Sequence, residues 1–87
     1  MKQDKRIKLL SEHFIYNIGV KDIRGMQINS CSKNRLIIQD WQSYIVIPAS
    51  DLTAIGLTTV KMRDFLLDNG AEKRKRQKRE IPYVLYD

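Results

Sequence analysis

Ser50-Asp51-Leu52-Thr53-Ala54-Ile55-Gly56-Leu57-Thr58-Thr59-Val60-Lys61-Met62-Arg63-Asp64-Phe65-Leu66-Leu67-Asp68-Asn69-Gly70 holds two helix starts and two helix stops. Ser50 can cap a short helix over 51–55, and Asp51 places a negative charge in its first turn, where the helix dipole favours it. Gly56 closes that helix and Leu57 fills the turn. Thr58 caps a second helix from 59 to about 69, and Gly70 supplies the left-handed residue that ends it. Short helix, glycine-containing turn and longer helix make a helix-turn-helix over 50–70.

At about 100° per residue, Met62, Phe65 and Leu66 form the centre of the second helix's apolar arc, with Val60 and Leu67 at one edge. Lys61, Asp64 and Asp68 share the polar side. Arg63 projects from within the apolar arc and must snorkel. Thr58, Thr59, Lys61 and Arg63 occupy the N-terminal end, the end that contacts bases when such a helix enters a groove. Asp64 and Asp68 oppose deep insertion, because a carboxylate repels phosphate.

Downstream lies Glu72-Lys73-Arg74-Lys75-Arg76-Gln77-Lys78-Arg79-Glu80. Its six cations and two anions leave +4 of the chain's net +6 in this one place. It precedes Ile81-Pro82-Tyr83-Val84-Leu85-Tyr86, which reads as a returning strand. The pattern predicts a basic β-hairpin, a wing over 71–86. In an extended strand Lys73 and Lys75 point one way and Arg74 and Arg76 the other, so both faces are basic and neither belongs in a core. Lys78 and Arg79 lie past the expected tip. Concentrated positive charge of this kind suits a polyanion, because neutralised phosphates release counterions. The expected fold class is therefore α+β, a winged helix-turn-helix with an N-terminal helix.

Upstream, the 3, 4, 4 spacing of Ile7, Leu10, Phe14 and Ile18 predicts an amphipathic helix over 4–18, capped by Asp4 and stopped by Gly19. Residues 20–33 are weakly patterned, and 29–34 (Asn-Ser-Cys-Ser-Lys-Asn) reads as a loop. Residues 35–39 and 43–47 are short, β-branched and aromatic, as strands are. Asp40-Trp41-Gln42 connects them and Pro48 ends the second.

Eighty-seven residues suffice for one domain, 1–87, with a modest core. No apolar run approaches the roughly 20 residues of a membrane span, so no membrane partner is expected. Residues 7–12 are too polar for a signal-peptide core. One cysteine, Cys31, excludes an internal disulfide and fits a cytoplasmic protein. One histidine, His13, and one cysteine cannot make a zinc site of the usual spacings. Ser11 and Glu12 flank His13 on different helix faces, so no nucleophile–base pair is visible. The expectation is a protein that is not an enzyme and needs no cofactor or metal.

The segment from Ile45-Val46-Ile47-Pro48-Ala49-Ser50-Asp51-Leu52 through Asp68-Asn69-Gly70-Ala71-Glu72-Lys73-Arg74-Lys75-Arg76, closing on Ile81-Pro82-Tyr83-Val84-Leu85, resembles a known domain type. It is similar to the C-terminal winged-helix domains of replication initiator helicases and helicase-primases from phages and mobile genetic islands. The shared pattern is an Ile-Pro segment, a short helix, a helix end at Asn-Gly, a basic wing and a tyrosine-rich return strand. The resemblance spans residues 43–87 and implies binding of double-stranded origin DNA by a domain attached to a helicase or ATPase motor. This sequence has no Gly-x-x-x-x-Gly-Lys-Ser/Thr loop, which implies an excised domain or a stand-alone small binder. Two other readings stay open. One is a protein-interaction module for a host replication or transcription protein, with Asp64 and Asp68 in the contact. The other is a single-stranded nucleic-acid binder that stacks bases on Trp41, Tyr44 and Tyr83.

Overall fold

A computed structural model describes residues 4–74. Helix α1 spans Lys5–His13, and a 3₁₀ helix spans Val20–Gly25. Three strands follow: β1 (Gln27–Cys31), β2 (Arg35–Gln39) and β3 (Tyr44–Pro48). Then come α2 (Ala49–Thr53), α3 (Thr59–Asp68) and a two-residue strand β4 (Glu72–Lys73). The sheet order is β3-β2-β1-β4. The first three strands form an antiparallel meander, and β4 lies parallel to β1. The result is a small α+β fold.

Alternation explains the layering. Ile28, Leu36, Ile38, Ile45 and Ile47 are buried on one face of the sheet. Against it pack Ile7, Leu9 and Leu10 of α1, Leu52 of α2, and Met62 and Leu66 of α3, in a single core cluster. The helices thus share one face. The other face carries Arg35, Tyr44 and Val46 exposed and Ile37 half-buried.

Asp4 caps α1 as expected, its Oδ1 accepting from the Arg6 backbone N–H at 2.8 Å. The helix is shorter than the 4–18 that the spacing predicts. Phe14 is already extended (φ −81°, ψ 150°). Residues 14–18 are aromatic, β-branched or Asn, all weak helix formers. Phe14 and Ile18 still reach the core, and the freed N–H of Ile18 donates to Ser11 Oγ at 2.9 Å. Apolar spacing reported burial correctly and helix length wrongly.

A second correction falls on 29–34. Asn29, Ser30 and Cys31 complete β1 rather than forming a loop. A bulge between Ile28 and Ser30 shifts the register and breaks the period-two pattern. Asn29 sits on the open face, where its Nδ2 donates to Gln39 Oε1 across the strands at 2.7 Å. The true turn is 32–34, closed by Ser32 N–H donating to the Arg35 carbonyl at 3.0 Å.

The β2–β3 hairpin is close to expectation. Asp40 Oδ1 accepts from the N–H groups of Gln42 (2.8 Å) and Ser43 (2.6 Å), and the Tyr16 hydroxyl donates to Asp40 Oδ2. Ser50 is not the cap of α2. The helix begins two residues earlier, at Ala49 behind Pro48, without a side-chain cap, and ends at Thr53. The fixed φ of Pro48 (−67°) sets its entry, and Ala49 N–H is satisfied by the Asn34 carbonyl at 2.9 Å. Gly56 (φ 80°) and Gly70 (φ 109°) are the two left-handed stops. Thr58 caps α3 through Oγ1, which accepts from Lys61 N–H at 3.1 Å.

Candidate nucleic-acid interface

Helices α2 and α3, joined by residues 54–58, occupy the span expected to be a helix-turn-helix. The first turn of α3 is anchored to the sheet. Thr59 is 4% exposed, and its hydroxyl donates to the Ser32 carbonyl at the end of β1 at 2.5 Å. Thr59 is therefore a structural residue, not the base contact expected of it. The sequence could not reveal this, because the partner is a backbone carbonyl 27 positions away.

Lys61 is exposed at the same end. Thr58 is exposed too, but its hydroxyl is engaged as the cap. Arg63 snorkels as expected, bonding through Nε and Nη2 to its neighbour Asp64 Oδ1 at 3.2 and 3.0 Å. The exposed stripe of α3 is Val60, Lys61, Asp64 and Asp68. Lys61 and Arg63 cancel against Asp64 and Asp68 along the helix, so α3 offers little net attraction to a phosphate backbone.

Positive charge arrives from the sheet instead. Lys33, in the 32–34 turn, lines a hollow with Ser32, Thr53, Thr58 and Val60 at the N-terminal end of α3. Arg35 follows, exposed at the start of β2. Neither residue was singled out by sequence reasoning. Their only signal was proximity to a turn, which acquires meaning once Thr59 ties α3 to that turn.

Strand β4 gives the basic segment a direction. Glu72 N–H donates to the Met26 carbonyl at 3.1 Å and Arg74 N–H to the Ile28 carbonyl at 3.0 Å. Because the pairing is parallel, with Gln27 beside Glu72 and Ile28 beside Lys73, the chain at Arg74 heads toward Cys31. That is the end of the sheet holding Lys33, Arg35 and the start of α3. Lys73 and Arg74 are both exposed. Lys75, Arg76, Lys78 and Arg79, and the rest of the expected wing with Tyr83, lie outside the described residues.

A larger hollow sits at the other end of α3, lined by Lys21, Arg24, Asp68 and Glu72 among others. Its two cations and two anions balance, which makes it a poor polyanion site. The aromatic candidates differ in setting. Trp41 is 84% exposed in the β2–β3 turn and Tyr44 is 61% exposed on the open sheet face. His13 Nε2 lies 3.0 Å from Asp51 Oδ2, a tie between the end of α1 and the first turn of α2. Among the described residues, no helix is long and apolar enough to cross a membrane.

No family model matches the chain, and no curated protein or solved structure is significantly similar to it.

Proposed function

We propose that this domain binds duplex DNA through its basic segment, as a winged helix-turn-helix in the replication initiation machinery of a phage or mobile element. In this reading α2 and α3 are the helix pair and β4 begins the wing. The observation that supports it is the convergence just described. The basic strand runs along β1 toward the turn that carries Lys33 and anchors α3. Lys61, Lys33, Arg35, Lys73 and Arg74 then lie toward one end of the sheet, and Lys75, Arg76, Lys78 and Arg79 would add their charge to the same target. Phosphate contacts dominate, and the charge-balanced α3 adds little base discrimination. The setting implied is the cytoplasm, with a helicase or ATPase as working partner and no chemistry of the domain's own.

A second reading, a single-stranded target, draws on the exposed rings of Trp41 and Tyr44, which could stack bases. One titration separates the two. Fluorescence anisotropy with duplex and single-stranded probes of equal length, across a salt series, should show preferential duplex binding that weakens steeply with salt. Neutralising Lys73, Arg74, Lys75 and Arg76 together should remove most of the affinity. Unchanged duplex affinity in that variant overturns the wing assignment. Preference for the unpaired strand moves the function to the aromatic face. Failure to bind either probe at low salt leaves the protein-partner reading of Asp64 and Asp68.

A further inference from the structure

The edge of the sheet at β3 carries backbone groups that the domain does not use. The β2–β3 ladder is bracketed by Asp40 N–H donating to the Ser43 carbonyl and Ala49 N–H donating to the Asn34 carbonyl, each at 2.9 Å. Antiparallel ladders alternate bonded and non-bonded pairs. With the observed register, Ile38–Ile45 and Leu36–Ile47 are the bonded pairs. The N–H and C=O of Tyr44 and Val46 therefore point away from β2, at the outer edge. Among the described residues nothing pairs with them.

Exposed edges are normally blunted by charge, proline or a bulge. Tyr44-Ile45-Val46-Ile47-Pro48 has no charge, and its proline stands at the end. Tyr44 and Val46 also expose their side chains, at 61% and 42%, beside the half-buried Ile37.

We infer that β3 pairs antiparallel with β3 of a second copy, about a twofold axis near Ile45, to give a weak dimer with a continuous sheet. Three arguments select a second copy. The strand is uncharged, so it does not repel itself. In a chain of net charge +6 Lys73 and Arg74 lie at the opposite edge, three strand spacings or roughly 14 Å away. A twofold at β3 therefore keeps Lys73 and Arg74 of the two copies apart, whereas one at β4 would confront them. The register is also specified. Tyr44 opposite Val46 of the second copy uses every outward N–H and C=O of both residues. It also makes an aromatic–β-branched pair on the open face, a favourable cross-strand combination. Val46 opposite Val46 would place Tyr44 against Pro48, which has no N–H to give.

The contact is smaller than the roughly 1,200 Å² of a standard stable interface, so dimerisation should depend on concentration, with a dissociation constant on the order of micromolar to hundreds of micromolar. The inference does not rest on DNA binding, and its test contains none. Sedimentation velocity of the full chain from about 10 µM to 1 mM, a range chosen to bracket that constant, should show a monomer passing to a dimer. Val46→Pro removes an outward N–H without touching the ladder to β2, and Val46→Lys sets like charges together across the pair. Each should raise the dissociation constant at least tenfold. Val46→Lys changes only a part-exposed side chain, so it decides the matter if Val46→Pro does not fold. Amide exchange at Tyr44 and Val46 should slow as concentration rises. A monomer throughout the range overturns the inference, as does a dimer that Val46→Lys leaves unchanged. Full protection of both amides in the dilute monomer also overturns it, because the chain's own residues would then occupy the edge.

Discussion

The hydroxyl of Thr59 donates to the carbonyl of Ser32, joining the first turn of α3 to the end of β1. Thr59 is buried, whereas Ser32 is exposed, so the hydroxyl is the partner without a ready substitute. Thr59→Val keeps the shape and removes the donor. The lost hydrogen bond should cost about 0.5–1.5 kcal/mol, with a fall in melting temperature of several degrees in a domain of this size. Thr59→Ser should retain most of the stability. Thermal and urea denaturation of the two variants checks this.

Arg6 links α1 to α3 by lying 3.8 Å from the centroid of the Phe65 ring. Its guanidinium also bonds Asp4 Oδ2 at 2.8 Å, which fixes it over the ring. A double-mutant cycle with Arg6→Gln and Phe65→Leu should give a coupling of about 0.5–1 kcal/mol, the range for a partly exposed cation–π contact. Additive effects would show that the stacking contributes nothing.

Tyr16 and Asp40 predict opposite limbs of the pH–stability curve. The hydrogen bond to the Asp40 carboxylate, aided by burial, pushes the Tyr16 phenol from its usual 10.0 up to about 12. A raised folded value means the stabilisation is complete below pH 10 and is lost between about 10 and 12. Tyr16→Phe should flatten that alkaline limb. Burial pushes the Asp40 carboxyl up, but the bonds from Tyr16, Gln42 and Ser43 outweigh it and hold the group below its usual 3.8. The side-chain bond from Arg6 holds Asp4 down to about 2. Depressed carboxylates stabilise above their unfolded value, so these contributions fade as pH falls below 3.8. Ultraviolet titration of the phenols and melting curves across pH test both limbs.

Gly56 and Gly70 are both left-handed and should respond differently to alanine. A Cβ on Gly56 meets open space, so Gly56→Ala carries only the conformational cost of about 1–2 kcal/mol. A Cβ on Gly70 would stand 2.6 Å from Arg24 Cγ. Gly70→Ala should therefore be the more destabilising of the two, and Arg24→Ala in the same chain should recover part of the loss. Equal losses in urea denaturation would show that the Arg24 stem moves aside freely.

How much of this could be read from the letters depended on the range of the interaction. Asp4, Thr58, Gly56 and Gly70 act on backbone groups a few residues away, and their roles were readable. Strands β2 and β3 were readable because 35–39 and 43–47 are short runs rich in β-branched and aromatic residues. Strand β1 was hidden because its bulge interrupts the period-two pattern and Asn29 and Ser30 look like loop residues. The end of α1 at His13 was hidden because Phe14 and Ile18 reach the core without helical geometry. Within the candidate site, the exposure of Lys61, Lys73 and Arg74 was anticipated. The burial of Thr59 and the position of Lys33 depend on a contact between distant residues, which no local pattern encodes.

The parallel pairing of β4 with β1 also has a kinetic side. The meander and the helix pair form from neighbours in sequence, whereas Gln27 meets Glu72 only after the chain between them has closed a long loop. Such contacts carry the largest ordering entropy and close late. During synthesis β1 emerges well before β4. Strand β4 therefore docks late, on a sheet whose meander can already be in place. Lys73 and Arg74 acquire their defined orientation only at that step, and a nascent or misfolded chain presents them without one.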